Sequence, residues 1–114
     1  MTDTRKEGKK MLNQIVLVGR IVSDPQINET KNGKKESIIT LAVPRSYKNL
    51  DGEYDTDFVD CVLYEGIAIN TAEYCRSGDL IGIKGRVSRL NGEKLKLVAE
   101  KVTFLSSKPT EKAE

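Results

Sequence analysis

The region between residues 13 and 105 breaks into short apolar–polar alternations separated by turn residues, the period expected of strands. Residues 13–22 are rich in Ile, Leu and Val and predict a first strand, interrupted by Ser23-Asp24-Pro25. Lys31-Asn32-Gly33-Lys34 carries the Asn-Gly chemistry of a tight turn. Strand pattern resumes over residues 37–43 and is expected to stop at Pro44; residues 48–52 form a polar loop suited to a hairpin tip. Residues 56–64 give the clearest strand. Val59, Cys61 and Leu63 fall on one face, and Phe58, Asp60, Val62 and Tyr64 on the other.

At residues 67–75 the period changes. Ile67, Ala68, Thr71, Ala72 and Cys75 recur at helical spacing, which predicts a short helix with Arg76 and Gly78 in its C-cap region. Residues 80–90 return to strand, with Ile81, Ile83 and Val87 on one face and Gly82, Lys84, Arg86 and Ser88 on the other. Asn91-Gly92 predicts a tight hairpin into a last strand over residues 94–105. One short helix between strands 3 and 4 of five is the order of the OB-fold, an all-β, five-stranded, partly open barrel; other small β-rich barrels share that order. Glycines at 78, 82 and 85 suit the bends of strongly coiled strands.

Composition narrows the function more than the fold. The 114 residues allow a single domain. Residues 1–10 and 106–114 lack hydrophobic periodicity and read as a flexible extension and a short flexible tail around a domain at 11–105. Residues 1–10 are polar throughout, unlike a signal peptide, and no apolar run approaches the roughly 18 residues of a membrane span. Histidine is absent, which removes Ser–His and Cys–His nucleophile pairs and every His-ligated zinc site. Cys61 and Cys75 form no CxxC pair, and neither GxxxxGK[ST] nor GxGxxG occurs. A binding module without catalytic residues, cofactor or metal is expected rather than an enzyme. The net charge of +2 lies in the first ten residues, while residues 11–105 balance 13 basic against 13 acidic side chains. Recognition of a polyanion must therefore come from where charges sit, not from their sum.

Single-stranded nucleic acid is held by rings beneath its bases and cations beside its phosphates. The aromatics are Tyr47, Tyr54, Phe58, Tyr64, Tyr74 and Phe104. If Val59, Cys61 and Leu63 fill the core, Phe58 and Tyr64 face outward, where they either stack on bases or pack against a neighbouring loop or subunit. Tyr47 sits in the basic stretch Pro44-Arg45-Ser46-Tyr47-Lys48, which suits a strand-binding groove or a plain solvated hairpin. Lys84 and Arg86 share an outward face with the same two readings. Phe104 is expected in the core, and Tyr74 in the core or at an interface. Asp51, Asp55, Asp57 and Asp60 cluster, but their spacing fits no EF-hand loop.

Five segments, in register, resemble the bacterial single-stranded DNA-binding protein (SSB) family. Met11-Leu12-Asn13-Gln14-Ile15-Val16-Leu17-Val18-Gly19-Arg20, followed by Asp24-Pro25, resembles its opening strand, and Thr40-Leu41-Ala42-Val43 its second. Asp57-Phe58-Val59-Asp60-Cys61-Val62-Leu63-Tyr64 is similar to its third strand, Gly78 with Lys84-Gly85-Arg86-Val87 to its fourth, and residues 98–105 to its fifth. The resemblance implies an OB-fold homotetramer that coats single-stranded DNA with little sequence preference in replication, recombination and repair, in the cytoplasm on the nucleoid. It implies stacking at Tyr47, Phe58 and Tyr64, and phosphate contacts at Arg20, Arg45, Lys48, Lys84 and Arg86.

The chain also departs from the family pattern. It has no tryptophan, a short hairpin at Leu90-Asn91-Gly92-Glu93, and Glu65-Gly66 where basic residues are usual. Residues after 105 hold no Gly/Gln/Pro-rich linker and no acidic, hydrophobic-ended peptide, so recruitment of replication proteins through such a tail is not expected. The short hairpin and tail equally fit an SSB-like accessory protein of primosomal, plasmid or phage type, acting mainly through protein contacts.

Overall fold

A computed structural model describes residues 12–89 and 94–106. Its elements run β1 (Ile15–Ile21), β2 (Asn28–Glu29), β3 (Lys35–Lys48), β4 (Tyr54–Tyr64), α1 (Glu65–Tyr74), β5 (Leu80–Arg89) and β6 (Leu95–Ser106). β1 pairs antiparallel with β5 along most of its length, then switches to β3 at Arg20 and Ile21. β3 pairs with β4 and β5 with β6, both antiparallel, and a parallel β4–β6 pair closes the circuit. These five strands make the OB barrel that the element order predicts. β2 adds a two-residue ladder to β3, so by count the helix falls between the fourth and fifth strands rather than the third and fourth.

Strand alternation builds the core. Ile21, Ile39, Leu41, Cys61, Leu63, Ile81 and Ile83 point inward and are buried, with Ala68 of α1 packed over them. Burying each large aliphatic side chain contributes about 1.5–3 kcal/mol. Gly19 lies where β1 changes partners, and a Cβ there would stand 2.6 Å from the Ala42 carbonyl oxygen. Only glycine lets the two strands approach so closely.

α1 packs on β3, β4 and β6. Its end matches the expected C-cap region: Cys75 N–H donates to the Thr71 carbonyl at 2.9 Å, and the Arg76 guanidinium donates to the carbonyls of Ala72 and Cys75 at 3.1 and 2.8 Å. Gly78 then turns the chain at φ +92°. The turn is tied to β1, because Gly78 N–H donates to the Ile21 carbonyl at 2.7 Å and Ser77 N–H to Asp24 Oδ1 at 2.7 Å.

Two expectations need correction. β3 does not stop at Pro44 but continues to Lys48, with Pro44 paired to Thr56. Beyond Ala42 no β1 residue pairs with β3, so the missing proline N–H falls on an open strand edge. Phe104 is not in the core. It is 46% exposed, and its ring stands 6.0 Å from that of Tyr74, itself 65% exposed. The two rings meet at the surface beside α1. The Asn91-Gly92 turn and the two chain ends lie outside the described residues.

Candidate nucleic-acid interface

Residues directly opposite in an antiparallel pair share a face. Arg20 lies opposite Ala42, and Ala42 opposite Phe58, so the three form one row across the outer surface of β1, β3 and β4. Two strand spacings set the Arg20 and Phe58 backbones about 10 Å apart. Only the Ala42 methyl stands between them. Beside it the surface dips into a groove of about 440 Å³ flanked by Val18, Arg20, Pro44 and Thr56. Phe58 is 67% exposed. Arg20 Nη1 donates to the Gly78 carbonyl at 2.9 Å, which fixes the guanidinium while using one of its five donors.

Farther along the same face of β4 come Asp60, Val62 and Tyr64. The Thr40 hydroxyl donates to Asp60 Oδ1 at 2.6 Å. Val62 is buried although it lies on the outward face, because it pairs with Val98 of β6. Tyr64 is half-buried, and Lys34 Nζ stands 4.8 Å from its ring centroid. Sequence reasoning missed Lys34. Its place beside the ring follows from the Glu36–Tyr64 register, which no local pattern announces.

β3 and β4 then run out as a hairpin arm whose residues 44–48 and 50–58 are all exposed. The register shifts between Pro44 and Lys48, a bulge that bends the strand and carries Tyr47, 63% exposed. Arg45 does not stand free. Its Nε and Nη2 donate to the two carboxylate oxygens of Asp57 at 3.1 and 2.9 Å, with Asp55 3.8 Å from Nη1. That fork holds the Asp57 carboxyl below the usual carboxylate range, chiefly through the hydrogen bond. Asp57 pairs with Val43 on the face opposite Phe58, and Arg45 is drawn there with it. Lys48 lies over Tyr54, 5.8 Å from the ring centroid.

Lys84 lies between Val16 of β1 and Lys101 of β6 on the outer face of β5. Arg86 Nε is 3.3 Å from Glu100 Oε2. The eight expected residues thus fall into three groups. Arg20, Phe58 and Tyr64 share the β1–β3–β4 face; Arg45, Tyr47 and Lys48 share the arm; Lys84 and Arg86 lie around the barrel on β5. Both Arg45 and Arg86 already hold a carboxylate, which neither residue's sequence neighbours reveal.

Beyond Phe58 the barrel is not sealed. Among the described residues β4 and β6 pair only at Cys61–Leu97 and Val62–Val98. Toward the start of each strand they part, and a groove of about 540 Å³ opens between Phe58, Asp60 and Val62 on one side and Lys94 and Leu95 on the other. Burial pushes the Cys61 thiol up to about 12 and raises that of Cys75, which suppresses the thiolate form of both. Among the described residues no group of three or more His, Cys, Asp or Glu side chains could hold a metal ion, and no helix is long and apolar enough to cross a membrane.

An OB barrel with exposed rings and basic side chains on its outer face is of the class whose strands and loops bind oligonucleotides or oligosaccharides. Comparison narrows the class: residues 12–105 match the single-strand binding protein family, and the chain belongs to it. It is 40% identical over 111 residues to single-stranded DNA-binding protein B of Bacillus subtilis, covering 90% of this chain and 98% of that protein. It is 41% identical over 106 residues to single-stranded DNA-binding protein 3 of Listeria innocua, covering 86% of this chain and 66% of the relative. Single-stranded DNA-binding protein A of Bacillus subtilis is 39% identical over 106 residues, and the match spans 62% of its length.

Proposed function

We propose that this chain binds single-stranded DNA with little sequence preference and protects it during replication, recombination and repair, as a cytoplasmic protein that catalyses no reaction. The observation that carries this reading is Phe58, a large ring open to solvent in one row with Arg20 on the outer face of an OB barrel. Bases stack on Tyr47, Phe58 and Tyr64. Each stack is worth about 1–3 kcal/mol and tolerates any base, since every base offers a ring face. Phosphates meet Arg20, Arg45, Lys48, Lys84 and Arg86, with Asp57 and Glu100 competing for Arg45 and Arg86. The names of the relatives support the ligand. Exposed Val16 and Val18 on β1 support burial between subunits of a homotetramer.

The test is fluorescence anisotropy of a labelled oligo-dT against the matching duplex, across a salt series. Single strands should bind far more tightly than duplex. Contacts to roughly four phosphates per subunit predict a log–log salt slope near −3. A folded protein that binds neither strand nor duplex would overturn the reading.

A further inference from the structure

Asp60 is an anion set on the face proposed to bind a polyanion. It is exposed, stands two residues from Phe58 on the same face of β4, and lines the groove between β4 and β6. Its direction is fixed, because the Thr40 hydroxyl donates to Oδ1 at 2.6 Å. Among the described residues Oδ2 has no hydrogen-bond partner. Two residues of strand span about 6.6 Å, so a base laid on the Phe58 ring turns an edge toward this carboxylate. Lys94 borders the groove from the β6 side.

We infer that the groove is a nucleobase subsite in which Asp60 selects bases by their edges and favours guanine over thymine. The inference rests on the single-stranded DNA reading given above and adds a preference to it. An ionised carboxylate only accepts hydrogen bonds. Guanine offers it two adjacent donors, N1–H and the N2 amino group, which match two carboxylate oxygens. The O6 and N7 acceptors of the same base suit a lysine ammonium, the role open to Lys94 on the far wall. Cytosine and adenine offer one amino group each. Thymine offers a single imide N–H flanked by two carbonyl oxygens that the carboxylate repels. The same charge repels phosphate, so it turns the base into the groove and the backbone outward toward the basic residues. Stacking on Phe58 is indifferent to the base, and Asp60 adds the discrimination.

The test is competition anisotropy with three strands of equal length: dT alone, a repeat of TTG, and the same repeat with hypoxanthine replacing guanine. The TTG strand should bind the wild-type protein at least about threefold more tightly than dT, in line with a weakened, solvent-exposed version of bidentate base readout. Hypoxanthine lacks the N2 amino group and should lose most of that gain. Asp60→Asn should bring the three strands together while dT binding stays equal or tightens, because an anion has been removed. Asp60 is exposed, so the variant folds. A wild-type protein that binds the strands equally, or an Asp60→Asn variant that discriminates as the wild type does, overturns the subsite and leaves single-stranded DNA binding standing. Failure of the wild-type protein to bind any strand overturns both.

Discussion

Arg45 donates two hydrogen bonds into Asp57, so its charge is neutralised before any phosphate arrives. Asp57→Asn made together with Asp55→Asn keeps the size of both side chains and an acceptor oxygen on each but removes both carboxylates that face the guanidinium. Exposed ion pairs contribute little to folding, so the melting temperature should hardly move. Binding should change in a defined way. Each phosphate neutralised on a single strand adds about −0.7 to the slope of log K against log salt. Freeing Arg45 should therefore steepen the slope by up to about 0.7, and adding Glu100→Gln, which frees Arg86, by up to as much again. The variant should bind oligo-dT more tightly than wild type at low salt. A fourfold rise in salt should then shrink its advantage by up to about 2.6-fold, the consequence of that slope difference. Anisotropy titrations at several salt concentrations measure both quantities. Arg45→Ala in the doubly substituted background should bring the slope back at least to the wild-type value. If the two substitutions leave slope and affinity unchanged, Arg45 lies off the path of the strand and its assignment is wrong.

Three further outcomes are expected. Phe58→Ala should weaken oligo-dT binding about 5- to 150-fold for each base lost from the ring, with little change in melting temperature because the ring is exposed; unchanged affinity would place the strand elsewhere. Gly19→Ala puts a Cβ 2.6 Å from the Ala42 carbonyl and 3.0 Å from Val43 Cγ2, and should lower stability to urea by about 1–3 kcal/mol while loosening the Arg20–Phe58 row; an unshifted midpoint would mean that β1 and β3 have room to spare. The buried thiols give an alkaline limb. The unfolded chain loses its thiol protons near the ordinary cysteine value of about 8.5, whereas folded Cys61 holds its proton to about 12. Stability is thus fully present below that ordinary value and declines as pH rises toward the folded one. Urea midpoints flat from roughly pH 8 to 11 would contradict the burial of the thiols.

What the sequence made legible was what alternation encodes. The inward set Val59, Cys61 and Leu63 and the outward set Phe58 and Tyr64 follow from a period of two, and the period change at residue 67 marks α1. The misreadings come from facts that belong to pairs of strands. Pro44 reads as a stop because a proline lacks its donor, yet β3 has no second neighbour there to miss it. Phe104 reads as core because it lies in the closing strand, but Tyr74 meets it at the surface. Lys34 reaches Tyr64, Asp57 reaches Arg45 and Glu100 reaches Arg86 only through the β3–β4 and β5–β6 registers. Charge at the interface is therefore set by cross-strand partners, and a count of basic residues along the chain overstates the cations ready to meet phosphate.

The closure between β4 and β6 rests on two residue pairs, while the β3–β4 and β5–β6 ladders run nearly the length of their strands. Two hairpins thus meet along a seam that is short in backbone hydrogen bonds, where local opening costs less than opening either hairpin. On the path proposed above, a DNA strand lying from Phe58 across the groove to Lys94 would touch both hairpins at once. It would then act as a splint. Because it would bind the closed seam and not the open one, its binding free energy would add to the cost of opening, and the amides of Leu97 and Val98 should exchange with solvent more slowly when DNA is bound. On that path the ligand would complete a barrel whose seam the backbone fastens at two neighbouring pairs among the described residues.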